Sequence, residues 1–170
     1  MKAVLLEVDR VFGLPAHPLL VHGAVVLVPL AAAAFLVAGA RDSWRHAYYL
    51  PVTLSAVAGG VFAFLAKVSG EPLSETVRRA GARVGEHPEQ GDTAFFFAML
   101  FATAVVGVYV FHRYEGGMRS LLGIQSWPRL PVSYHTALYV ATAPLAVLAI
   151  LTMVIAGHSG AELVWKTNAG

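Results

Sequence analysis

The chain has no cysteine. That single absence excludes a disulfide framework, a thiolate metal site and a cysteine nucleophile. It is also poor in charge. Asp, Glu, Lys and Arg make up 13% of its residues, against about 25% in an ordinary soluble domain, too few to cover a water-facing surface. A long basic run is missing too, and the formal net charge is only +2, so nucleic-acid binding has no support. Met1 to Arg10 alternates apolar and charged residues and lacks the apolar centre of a cleavable signal peptide. This short tail is expected to lie on a surface as an amphipathic piece.

What is present is apolar. The 170 residues, a length for one domain, are 57% hydrophobic with a mean hydropathy of +0.65. Crossing about 30 Å of hydrocarbon takes roughly 20 apolar residues. Four runs meet that need, predicting helices over about 16–40, 47–69, 93–111 and 134–157. The expected fold is all-α: a single membrane domain, an antiparallel up-down four-helix bundle with both termini on one side. Pro18 is placed as a first-turn proline with His17 near the cap, and Pro29 and Pro144 should kink the first and fourth helices. Ser55, Ala56, Ala58, Gly59 and Gly60 give the second helix a small-residue face suited to close contact in a bilayer. Residues 70–92 form a long polar connection in which Ser74 to Arg83 could make a short interfacial helix. Asp92 is placed to cap the third helix, and Gly157-His158-Ser159-Gly160 reads as a glycine-rich stop of the fourth. No convincing internal repeat is visible.

Span parity then sorts the histidines. The N-terminus, the 70–92 connection and the C-terminus share side A, with His17, His22, His87 and His158. His46, His112 and His135 fall on side B and read as interfacial residues without a motif. Side A carries seven Lys and Arg (2, 10, 67, 78, 79, 83, 166) and side B five (41, 45, 113, 119, 129). Counting bases favours A inside, whereas net charge and the tight placement of the side B bases favour B in the cytoplasm; the orientation stays open. Six tyrosines with Trp44 and Trp127 form an aromatic belt near side B.

An imidazole at a membrane boundary can ligate a metal, hold a haem iron, carry a proton or cap a helix. His17 and His22 are five residues apart, about 140° around a helix, so they cannot form one i, i+4 metal clip. A haem iron instead takes single imidazoles from different helices, and His22 with His158, or His87 with His17, could supply them. Arg78, Arg79 and Arg83 are then candidate propionate partners, against their plain reading as a solvated interfacial helix. The same four histidines are the candidate ligands if a transition metal is held instead. Glu71, Glu75, Glu86, Glu89 and Asp92 could join His87 in a zinc or hard-metal site, or serve loop solubility alone. Ser159 in Gly-His-Ser-Gly lacks the preceding strand of a nucleophile elbow. No catalytic residue is assigned, and a stand-alone enzyme is not expected.

Two stretches carry a resemblance. Leu14-Pro15-Ala16-His17-Pro18-Leu19-Leu20-Val21-His22, and Gly157-His158-Ser159-Gly160-Ala161 with Val164-Trp165, resemble a bacterial family of small four-span membrane proteins catalogued as domain of unknown function twenty-two thirty-one. Ser69-Gly70-Glu71-Pro72-Leu73, Glu86-His87 and Gly91-Asp92 look like its second connection. The resemblance covers nearly the whole chain and implies a four-helix membrane fold, retained histidines at His17, His22, His87 and His158, and no established activity. Architecture alone is similar to four-helix cytochrome b modules. The leading expectation is a haem b- or metal-binding electron-transfer module in the bacterial plasma membrane. Its partners would be the lipid bilayer and a redox protein or quinone, as a homo- or hetero-oligomer. The alternative is a structural or partner-binding subunit without cofactor. A proton-linked channel would require oligomers and lacks any mid-span acid.

Overall fold

The computed structural model describes residues 10–11, 14–79, 85–114 and 134–168. Expectations for the N-terminal tail, Arg83 and the 115–133 connection lie outside the described residues. A two-residue antiparallel pair, Arg10–Val11 (β1) with Leu14–Pro15 (β2), leads into the first helix. Four helices follow: α1 (Ala16–Gly39), α2 (Asp42–Arg79), α3 (His87–Arg113) and α4 (Tyr134–Asn168). Each contains a membrane-spanning stretch: Ala16–Gly39, Ala47–Pro72, His87–Arg113 and Tyr134–Leu163. Outward-facing Val26, Leu30 and Val37 on α1, and Val140, Leu151 and Val154 on α4, are exposed. Helices apolar on the outside as well as the inside suit lipid, not water.

Four helix ends differ from the sequence expectation, the first being the start of α2, at Asp42 instead of about residue 47. Polar residues 70–79 continue α2 through Pro72 instead of opening a connection; the apolar run marks where the helix leaves hydrocarbon, not where its hydrogen-bond ladder stops. The third helix begins at His87 with Pro88 in its first turn and Glu86 at its cap. Asp92 therefore lies in its second turn and is not the cap. The fourth helix runs through Gly157 and Gly160 to Asn168, because those glycines serve helix contact, as shown below.

Small residues build the interior: Ala24, Ala31, Ala32, Ala56, Ala98 and Ala149 are all buried. Lipid offers apolar side chains no hydrophobic gain from helix association, so close backbone approach and van der Waals packing must supply it. One aromatic cluster fills the half of the bundle near the α1–α2 turn. Phe35 meets Tyr49, Phe101 and Tyr139 with ring centroids at 6.1, 5.9 and 5.7 Å. The Tyr139 hydroxyl donates to the Leu36 carbonyl at 3.0 Å, giving its polar end a partner as a buried tyrosine requires. At the turn itself, Arg45 donates from Nε (2.9 Å) and a terminal nitrogen (2.7 Å) to the Gly39 carbonyl. It places a cation on a helix C-terminus, where the macrodipole is negative.

The packing contains a repeat that the sequence hides. Shifting α1 by 70 positions onto α3 pairs Ala24 with Ala94, Val28 with Ala98, Ala31 with Phe101, Ala32 with Ala102, Phe35 with Val105 and Ala38 with Val108; all twelve are buried. Shifting α2 by 90 onto α4 pairs Val52 with Thr142, Ala56 with Ala146, Ala63 with Met153 and Ala66 with Ala156, again all buried. The bundle is thus two equivalent helical hairpins, α1–α2 and α3–α4. The two shifts differ because 20 more residues separate equivalent positions of the second hairpin than of the first, which destroys any fixed sequence period.

A twinned histidine site at one end of the bundle

In the first hairpin, His17 occupies the first turn of α1 and reaches across to the end of the α2 span. Its Nδ1 lies 2.9 Å from the Ala66 carbonyl and 3.2 Å from Ser69 Oγ. A carbonyl can only accept, so Nδ1 carries the proton. Ser69 in turn donates to the same Ala66 carbonyl at 3.1 Å. The ring lies over Gly70, where an added Cβ would stand 2.8 Å from Cε1.

The second hairpin builds the same lock from equivalent residues. His87, in the first turn of α3, sets Nδ1 3.0 Å from Ser159 Oγ on α4. Ser159 gives its own proton to the Ala156 carbonyl at 3.1 Å, which leaves Oγ to accept from Nδ1–H. A Cβ on Gly160 would stand 2.9 Å from His87 Cε1. His17-Pro18 with Ser69-Gly70, and His87-Pro88 with Ser159-Gly160, are therefore one device used twice. In both, the proton sits on Nδ1 and Nε2 keeps its lone pair. Among the described residues no protein group bonds to either Nε2.

Both rings line one half-open cavity of ≈ 180 Å³ between the hairpins, with Lys67, Asp92, Phe95 and Met153. Lys67 of α2 is hydrogen-bonded and ion-paired to Asp92 of α3, joining the hairpins across the cavity. Its Nζ also lies 3.8 Å from Glu71 and 5.8 Å above the Phe95 ring. This charge pair breaks the repeat. The partner of Asp92 in the first hairpin is His22, and the partner of Lys67 in the second is Gly157.

The four side A histidines do not converge. His22 is exposed and its Nδ1–H folds back to the Pro18 carbonyl one turn below. The His158 side chain is 76% exposed and lies 3.6 Å from Glu162. Both sit at the same end of the bundle but face outward. Arg78 and Arg79 are exposed on the last turn of α2, Arg79 paired with Glu75 at 2.9 Å, and neither lines the cavity. Among the described residues no group of three or more histidine or carboxylate side chains could hold a metal ion. The donors lining the cavity are two imidazoles and the Glu71 and Asp92 carboxylates, both of which lie beside Lys67. The cavity is smaller than the roughly 300–1,000 Å³ of pockets for drug-sized ligands. At that size it has room for an ion or a small molecule.

Fold and site together define an integral membrane protein of four spanning helices, built as twin hairpins with a histidine pair at one end of the bundle. The chain belongs to the family described as "predicted membrane protein (DUF2231)", whose model matches residues 13–170. No curated protein and no solved structure matches it.

Proposed function

We propose that this protein is a membrane-embedded metal-binding module in which His17 and His87 are the ligand pair. One observation carries the reading: two equivalent imidazoles, each held through Nδ1–H, line a single cavity. Metal-ligating histidines characteristically give their second ring N–H to a carbonyl or other acceptor, which fixes both tautomer and orientation. Imidazole donors suit copper, zinc, nickel and iron. Copper or iron bound there would supply one-electron chemistry, with a redox protein or quinone in the bacterial plasma membrane as partner. Within this reading Lys67 and Asp92 hold the hairpins at the spacing the pair needs, and His22 and His158 are not ligands.

The test is metal binding by the full chain in detergent, with Cu²⁺ and Zn²⁺ as probes and visible spectra recorded alongside. Replacing His17 and His87 together with glutamine should remove one bound equivalent, and H22Q/H158Q should leave binding unchanged. Unchanged binding by folded H17Q/H87Q protein would refute the assignment. A Soret band in the purified protein that H22Q/H158Q abolishes would return the function to haem and to the outer pair.

A further inference from the structure

At the opposite end of the bundle a second pair of histidines meets. His112 lies in the last turn of α3 and His135 in the first turn of α4. Their Nδ1 atoms are 3.3 Å apart, with ring centroids at 4.9 Å and the planes at 70°. We propose that this pair is a separate binding site for a divalent transition metal ion, ligated through the two Nδ1 atoms.

The spacing is the first argument. The two ring nitrogens face each other at the length of a long N–H···N hydrogen bond, 3.3 Å. Two imidazole nitrogens bound to one tetrahedral ion at about 2.0–2.1 Å stand about 3.3–3.4 Å apart. Converging ring nitrogens at this distance match the bite of a single ion. The second argument is orientation. Tyr49 meets the His112 ring edge-on at 5.5 Å, and Tyr134 lies against His135 at 3.9 Å. Aromatic neighbours on both sides restrict how far the two rings can rotate. Imidazole nitrogens favour zinc, copper or nickel over calcium or magnesium. Two ligands leave two tetrahedral positions to water or other donors.

This site is independent of the one under Proposed function. His87 and His112 are 25 positions apart on one helix, about 37 Å at 1.5 Å per residue, which puts the two sites at opposite faces of a bilayer. The corresponding corner of the first hairpin is closed differently, by Arg45 on the Gly39 carbonyl.

The experiment is Zn²⁺ titration of the full chain in detergent, comparing wild type, H112Q/H135Q and H17Q/H87Q. We expect H112Q/H135Q to lose one equivalent relative to wild type and H17Q/H87Q to retain it. X-ray absorption of Zn²⁺-loaded H17Q/H87Q should then show two imidazole ligands at about 2.0 Å. Equal stoichiometry and affinity in wild type and H112Q/H135Q would overturn the proposal, whatever happens at His17 and His87. If the double variant does not fold, H112Q alone decides: its affinity at this site should fall by about tenfold or more, and an unchanged affinity counts against the site. If H17Q/H87Q keeps every equivalent while H112Q/H135Q loses one, the Proposed function fails and this site stands.

Discussion

The His17 ring occupies the space that a side chain at Gly70 would fill, since a Cβ there would stand 2.8 Å from Cε1. His87 does the same to Gly160 at 2.9 Å. Each histidine closes its own hairpin by pressing a ring onto a bare stretch of the partner helix and bonding to it through Nδ1. Glycine in a helix interior costs about 1 kcal/mol relative to alanine. The two glycines stand where the ring contact needs them, and the helices continue through both.

That relationship predicts a reversal of sign. G70A alone should destabilise the protein by about 1–3 kcal/mol through overpacking, because the ring must leave the Ala66 carbonyl. In an H17A background the same change should stabilise by up to about 1 kcal/mol, as alanine is the better helix former. Thermal unfolding in detergent of the four proteins of this cycle measures it, and equal effects of G70A in both backgrounds would rule the contact out. G160A with H87A should repeat the pattern.

Serine should matter unequally in the two locks. His17 bonds the Ala66 carbonyl at 2.9 Å with Ser69 as a longer second contact, whereas for His87 Ser159 is the near contact at 3.0 Å and the Ala156 backbone the second. S159A should therefore cost about 0.5–1.5 kcal/mol, the net worth of a typical hydrogen bond, and S69A less. Metal affinity at the cavity should follow the same order, because S159A frees the His87 ring to change orientation. A titration in which S69A is the more damaging of the two contradicts this.

Much of the architecture was legible because apolar runs of more than twenty residues have few alternatives. Span parity also placed His17, His22, His87 and His158 correctly at one end. It could not say which of them turn inward, since parity fixes depth and not rotation about the helix axis. The rotation was readable by another route. His17 precedes buried Ala24 by seven residues and His87 precedes buried Ala94 by seven, two turns on one face, while His22 is only two residues from Ala24. The His-Pro and Ser-Gly pairs that mark the repeat escaped notice because the unequal turns set them 70 and 90 residues apart. His112 and His135 carried no local signal at all; only the α3–α4 packing brings them together.

At the turn of the first hairpin, Arg45 is 6% exposed and gives two donors to one carbonyl. R45A should cost about 1–3 kcal/mol by leaving the Gly39 carbonyl without this buried donor. R45K should recover only part of that, because an ammonium lacks the planar fork that places two donors on one acceptor. Full recovery by lysine in thermal unfolding would show that charge alone acts on the end of α1.

The Lys67–Asp92 pair is the contact that joins the two hairpins across the cavity. Its side chains are 31% and 63% exposed, so solvent screens it and its coupling should be modest, up to about 1 kcal/mol in a double-mutant cycle. Its larger consequence should be geometric. K67A and D92A should each let the helix ends separate and the two imidazoles move apart, so Cu²⁺ or Zn²⁺ affinity at the cavity should fall further than stability does. The swapped variant K67D/D92K restores an ion pair and should regain part of that affinity, while binding at His112 and His135 stays constant throughout. If the swap recovers stability without affinity, the lysine or the aspartate contacts the metal directly and the pair is more than a strut.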